Sequence, residues 1–225
     1  VATPSGTARA PEGGAHQSIG TPLIGISQPG RRLFEPAFAD ELAVVMRWAL
    51  EHMQAEDGGS VYLRLTTRQI DQPRRRIDAD LARAILAGGY WLKPPRRGSD
   101  LAIAFCGAVA PEVLEAAEAM ADDLPDLGIL NVVSADRLHA DWLCRAQDSH
   151  AAELLAPLAA DAASVTVCDA HPLTLSLIGA VRGQRVAALG VDAFGQSADI
   201  PDLFRVMRMD AESIVDACAA ALLRR

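Results

Sequence analysis

Between residues 101 and 191, short apolar runs alternate with longer amphipathic stretches, and this alternation leaves the chain few folds to choose from. The runs at 101–106, 128–133, 164–168 and 185–191 have strand length. Between them, the stretch from Pro111 to Leu124 puts Val113, Ala117, Met120 and Leu124 on one helical stripe, residues 135–158 are helical in pattern, and residues 172–182 form a third helix. Strands alternating with helices imply βαβ units, hence an α/β fold with a mainly parallel sheet in three layers. After the last strand, Gly190 and Gly195 bracket a turn where a bulky residue with positive φ would be strained. Pro201 then opens a helix, because its missing N-H falls where no intrahelical acceptor exists. A closing helix starts at Asp210, a good N-cap, and places Ile214, Cys218 and Leu222 on one face.

Upstream the pattern is less regular. Residues 1–11 have no large apolar side chain and read as a tail or linker. The chain begins at Val1 rather than methionine, which suggests a fragment or a processed product. A loop from Glu12 to Ser18 leads to a short strand candidate, Leu23 to Ile26. Glu35-Pro36 starts a helix in which Phe38, Leu42, Val45 and Ala49 repeat at helical spacing, and Val61 to Thr66 alternates like a strand. Residues 67–77 are polar and carry Pro73 and Arg74 to Arg76, so they cannot be a core strand. They read as an interdomain connection, and a short helix at 79–87 follows.

Half of the 225 residues are hydrophobic, enough for one sizeable core or two modest ones. Lys plus Arg number 21 against 29 Asp plus Glu, and the net charge of -8 disfavours nonspecific binding to nucleic acid or to an anionic membrane. There is no apolar run of spanning length and no secretory signal pattern, which points to the cytoplasm. Cys106, Cys144, Cys168 and Cys218 are too widely spaced for a metal motif and read as small core residues.

Dinucleotide, P-loop, nucleophile-elbow and zinc-protease signatures are all absent. His16 follows the mobile pair Gly13-Gly14 and is either a solvated loop residue or an exposed imidazole able to move protons. Arg68, just past a strand end, is either solvated or able to grip an acidic substrate group. The Arg74 to Arg76 run reads as a solvated face or a subunit contact, with a phosphate site as the alternative. His52, at a helix end, suits a dipole partner, and His139, His150 and His171 read as structural.

Four stretches, in order, carry a family resemblance. Glu12-Gly-Gly-Ala-His-Gln17 looks like an E-D-G-x-x-H loop, Phe34-Glu-Pro-Ala-Phe-Ala-Asp-Glu-Leu-Ala43 like a Y-D-P-x-[FY]-A-x-E-[IV]-A helix start, and Leu189-Gly-Val-Asp-Ala-Phe-Gly-Gln-Ser197 like L-G-x-D-G-F-G-x-S. Asp210-Ala-Glu-Ser-Ile-Val215 follows at the matching place. Together they resemble the transketolase-like thiamine-diphosphate enzymes, most strongly the C-terminal part of the homodimeric pyruvate dehydrogenase decarboxylating component.

The resemblance implies that 12–75 is the last third of a pyrimidine-binding domain and 90–225 a transketolase C-terminal-like domain. It makes His16 the active-site histidine, which orients substrate and moves protons around a carbanion that the cofactor stabilises. Arg68-Gln69 is similar to a transketolase segment whose arginine holds a sugar phosphate, so Arg68 is the candidate substrate-binding residue and ketol transfer the alternative to pyruvate oxidation. The family's G-D-G…N metal motif and its upstream glutamate do not occur in this sequence. Thiamine diphosphate and magnesium are therefore expected in the complete enzyme but not on this chain alone. The implied partners are the missing N-terminal part or a companion chain, a second copy of the chain, and the acyltransferase component of a multienzyme complex. The rival reading is a noncatalytic assembly or regulatory module of the same fold.

Overall fold

The computed structural model describes residues 6–223. Its larger sheet has five strands: β3 (Gly89–Lys93), β4 (Ser99–Cys106), β5 (Gly128–Val132), β6 (Leu158–Cys168) and β7 (Arg185–Leu189). They lie in the order β3-β5-β4-β6-β7, with β3 antiparallel to β5 and every other pairing parallel. The smaller sheet pairs β1 (Arg31–Phe34) in parallel with β2 (Ser60–Leu63). The helices are α1 (Thr21–Ser27), α2 (Ala39–His52), α3 (Ala79–Ala87), α4 (Ala110–Ala119), α5 (Ala135–Arg145), α6 (His150–Leu155), α7 (Leu173–Arg182), α8 (Ile200–Val206) and α9 (Ala211–Leu223).

The two-residue period of a strand divides β4 cleanly. Leu101, Ile103 and Phe105 face α4 and α9 in a core with Val113, Ala116, Ile214 and Cys218. Ala102, Ala104 and Cys106 face the other way, into a core with Leu138, Leu155, Leu175 and Ile178 from α5, α6 and α7. The expected three-layer, mainly parallel architecture is thus present, and α9 buries the Ile214 and Cys218 face read from the sequence.

Four local expectations are corrected. Leu23 to Ile26 lie in helix α1, because Pro22 occupies its first turn and Gly25 packs directly on Leu33; four apolar residues are too few to show a period. The stretch 135–158 is divided: Ala146 takes a positive φ of 47°, and the Ser149 side chain caps α6 by accepting from the Ala152 N-H. The segment up to residue 11 is packed from Gly6 onward as a 3-10 helix, with Gly6, Thr7 and Ala10 buried. Cys144 is exposed, whereas the other three cysteines are buried.

A third core, built from Phe34, Val45, Leu63, Ile85, Tyr90 and Val133, joins the β1–α2–β2 unit to the large sheet. Beside it lies a polar cluster centred on Glu41, which is fully buried. One carboxylate oxygen of Glu41 accepts from the Ala37 and Phe38 N-H groups at 2.9 and 3.2 Å, capping α2. The other accepts from Tyr90 Oη, Asn131 Nδ2 and Arg75 Nη2. Arg75 also forks Asp40 at 2.7 and 3.0 Å and lies over the Phe38 and Tyr90 rings. The middle arginine of the run therefore turns inward, while Arg74 and Arg76 remain exposed. Arg75→Ala leaves a buried carboxylate without its cation and should lower stability by roughly 2–4 kcal/mol in urea unfolding. Arg74→Ala and Arg76→Ala should change it by less than about 0.5 kcal/mol.

Candidate active site

In an open parallel sheet, loops at the carboxyl ends of the strands converge where ligands are usually bound. Here β4 and β6 end at Cys106 and Cys168, paired in register, and a fully buried arginine, Arg64, lies just beyond them. Arg64 follows β2 directly. Its guanidinium ion-pairs with Glu35, donates to the Asp169 carbonyl at 2.6 Å, and donates at 3.4 Å to the carbonyl of Ser18. Glu35 belongs to the second motif stretch and Ser18 adjoins the first. One side chain therefore ties both to the large sheet.

Asp169 completes this joint. Its carboxylate accepts from the Thr7 N-H at 2.9 and 3.1 Å and from Thr7 Oγ1 at 2.7 Å. Gly6, at φ 44°, lies so close that a Cβ would meet that carboxylate at 2.5 Å. Burial pushes the Asp169 carboxyl up to about 6, outweighing the nearby Arg64 charge and the Thr7 hydrogen bonds. Cys106 is also held well above the usual thiol range, first by its hydrogen bond with Cys168 and then by burial and the Glu35 charge. These two sulfurs are core thiols rather than nucleophiles.

The His16 loop rests on this joint and on the turn after β7. The Gln17 side chain donates to the Gln196 carbonyl at 3.0 Å and to the Arg9 carbonyl at 3.4 Å, and the Ala198 N-H donates to the Ala10 carbonyl at 3.2 Å. A Cβ on Gly14 would collide with the Gly195 carbonyl and the Phe194 ring, and one on Gly195 with Gln17. Gly190 is likewise closed in, by the Ala170 carbonyl. Neither Gly190 nor Gly195 has a positive φ, so close approach rather than backbone conformation requires glycine there. The first and third motif stretches, 172 or more residues apart in sequence, are thus in contact. The imidazole of His16 stays outside, with 57% of its side chain exposed and Nδ1 at 3.8 Å from Glu12 Oε2. The same Glu12 oxygen is held by Arg9.

Arg68 lies in different surroundings. Its fork is occupied by Glu112, at 2.7 and 3.1 Å, and by the Ala108 carbonyl at 2.7 Å, and it stacks over Phe204 at 4.8 Å. The other four histidines make contacts within the fold: His52 stacks on Trp48 at 4.6 Å, the His139 ring lies 6.2 Å from that of Trp142, His150 Nε2 is 2.8 Å from the Gly89 carbonyl, and His171 Nδ1 accepts from the Leu173 N-H. Among the described residues, no group of three or more His, Cys, Asp or Glu is placed to hold a metal ion, and no helix is long and apolar enough to cross a membrane.

The chain is 29% identical, over 99% of its length, to the pyruvate dehydrogenase E1 component of Mycolicibacterium smegmatis, and covers 25% of that protein. Its fold superposes on transketolase from Leishmania mexicana with a TM-score of 0.77 at 15% identity, covering 98% of this chain and 29% of that one. The chain resembles the C-terminal part of transketolase-like thiamine-diphosphate enzymes. A further neighbour is a split gene transketolase described as an inactive beta4 tetramer, with a TM-score of 0.66 at 22% identity, over 97% of this chain and 64% of that one. No family model matches the sequence. The chain spans about a quarter of the length of the curated relatives it matches.

Sequence reading singled out His16 and the glycine turn as candidates but passed over the joint made by Thr7, Glu35, Arg64 and Asp169. The available signals were an arginine at the end of an apolar strand run and an aspartate at the carboxyl end of a parallel strand. A raised carboxyl pKa means that the native state keeps its proton to higher pH than the unfolded chain does. The Asp169 contribution is therefore full below about pH 4 and is lost as pH rises through about 6. Relative to Asp169→Asn, the parent should lose roughly 3 kcal/mol of stability between these limits, measured by urea unfolding across the pH series. Parallel pH profiles for the two proteins would contradict this.

Proposed function

We propose that the chain is the C-terminal portion of a thiamine-diphosphate-dependent pyruvate dehydrogenase decarboxylating component, active only when joined by the missing N-terminal part or a companion chain. In this reading residues 12–75 are the last third of a pyrimidine-binding domain, 76–89 the connection, and 90–225 the C-terminal domain. The observation that carries it is the docking of the His16 loop against the Gly190 to Ser197 turn, which holds the two most distinctive motif stretches together with the imidazole facing outward.

Thiamine diphosphate supplies the carbanion chemistry in such enzymes, and here it would be bound, with its magnesium ion, by residues of the other part. This chain contributes His16. The backbone of its loop is fixed by Gln17, Glu12 faces Nδ1, and Nε2 is left to hold or move a proton at a substrate oxygen. The partial length relative to the relatives supports a companion segment, and so does the likeness to a split gene transketolase, of which this chain covers 64%. Self-association of this chain is part of the same proposal.

The test is the assembled enzyme assayed on pyruvate. His16→Ala should lower kcat by roughly 100- to 10,000-fold with little change in melting temperature, because the ring is exposed. Arg68→Ala should lower pyruvate turnover less than about tenfold and should instead destabilise the fold, since Glu112 and the Ala108 carbonyl lose their donor. Unchanged kcat in His16→Ala would refute the assignment. A selective loss on a phosphorylated ketose in Arg68→Ala would favour ketol transfer.

A further inference from the structure

Away from the His16 loop, a cavity of about 470 Å³ opens between the end of α3, the start of β1 and one side of α5. Its wall includes Arg32, Asp136, Arg137, Asp141, Arg145 and His150. Two of these groups have formed no ion pair. The Arg137 guanidinium carbon lies 5.0 Å from the centre of the Trp48 ring and 6.0 Å from that of Phe34. Its Nε is buried without a hydrogen-bond partner, and no acceptor among the described residues meets its terminal nitrogens. Aromatic stacking fixes the guanidinium plane and covers its face but leaves the in-plane N-H groups unused.

Arg32, on β1, shares the wall, and its guanidinium makes only a 3.3 Å bond to the Arg31 carbonyl. Asp136 and Asp141 stand close enough to offset part of this charge, but neither accepts a hydrogen bond from Arg32 or Arg137. Asp136 Oδ2 accepts from the Leu33 N-H at 3.1 Å, while Asp141 takes both Arg145, at 2.7 and 3.1 Å, and the His150 N-H at 2.7 Å. Three arginines and two aspartates line the wall, in a chain whose net charge is -8. Burial, followed by the Arg32 charge, draws Arg137 below the usual arginine range, against the opposing pull of Asp136 and Asp141.

We propose that this cavity binds the phosphoryl group of a small molecule, with Arg137 and Arg32 as its ligands. One fork is enough for a planar carboxylate, whereas two guanidiniums approaching from separate strands and helices suit a tetrahedral dianion. The volume leaves room for the rest of a phosphate ester. The site stands apart from His16 and does not depend on the catalytic assignment.

The probe is inorganic pyrophosphate, without added metal ion, titrated into the 225-residue chain at low ionic strength and followed by calorimetry and tryptophan fluorescence. One saturable site is expected, with a fluorescence change from Trp48 through Arg137. Arg137→Gln and, separately, Arg32→Gln should each weaken binding roughly 10- to 100-fold. Arg205→Gln, on the exposed face of α8, should leave affinity unchanged, and acetate at matched ionic strength should not compete. Circular dichroism melts identify any unfolded variant, and Arg32→Gln, on the outer rim, decides the matter if Arg137→Gln does not fold. No saturable binding, affinity unaltered in a folded Arg32→Gln, or equal competition by acetate would each overturn the proposal.

Discussion

A single guanidinium removed from water organises this molecule. A buried arginine is tolerated only where carboxylates and carbonyls replace its hydration, because the desolvation penalty is several kcal/mol per ion. Arg64 meets that condition with groups 29 and 105 residues away, Glu35 and the Asp169 carbonyl. Thr7, 162 residues from Asp169 in sequence, then closes over the carboxylate. Such a joint adds little net stability compared with apolar packing, but it permits only one arrangement of the segments that meet there. The β1–α2–β2 unit, the N-terminal 3-10 segment and the carboxyl ends of β4 and β6 are fixed relative to one another as a result.

That fixed arrangement is what makes the His16 loop a defined surface rather than a mobile tail. The glycines at 14 and 195 bring two backbones into direct contact, and Gln17 bridges them. The loop borrows its order from the large sheet. The chain thereby presents the exposed His16 ring on a loop of fixed backbone. The cavity beside Arg137 shows a different balance of forces, with that cation held against aromatic faces rather than in an ion pair.

The sheet and its covering helices were legible because their signal is periodic. Leu101, Ile103 and Phe105 alternate with alanines, and Ile214 and Cys218 recur at one helical turn, so local sequence alone indicates which face is buried. Leu23 to Ile26 defeated the same reasoning, since four residues fit either period and the deciding factor was Pro22 at a helix start. Residues 6–11 were unreadable for another reason: they pack through small side chains and backbone against a partner on the far side of the chain. Of the candidate site residues, His16 was visible from the glycines before it. The contacts of Arg68 were not, because Glu112 is 44 residues away and no local pattern announces it. Arg75 was likewise hidden within a run of three arginines, only the middle one of which turns inward.

Amide hydrogen exchange, resolved by residue, tests most directly whether the buried joint holds the His16 loop. In the parent protein the amides of Thr7, Gln17 and Ala198 should be protected together, since each is donated within the joint or the docked loops. In Arg64→Met all three should lose protection in concert while the amides of β4 and β6 keep theirs. Retained protection at Gln17 and Ala198 in that variant would show that the loop is ordered independently of Arg64, and would contradict the account.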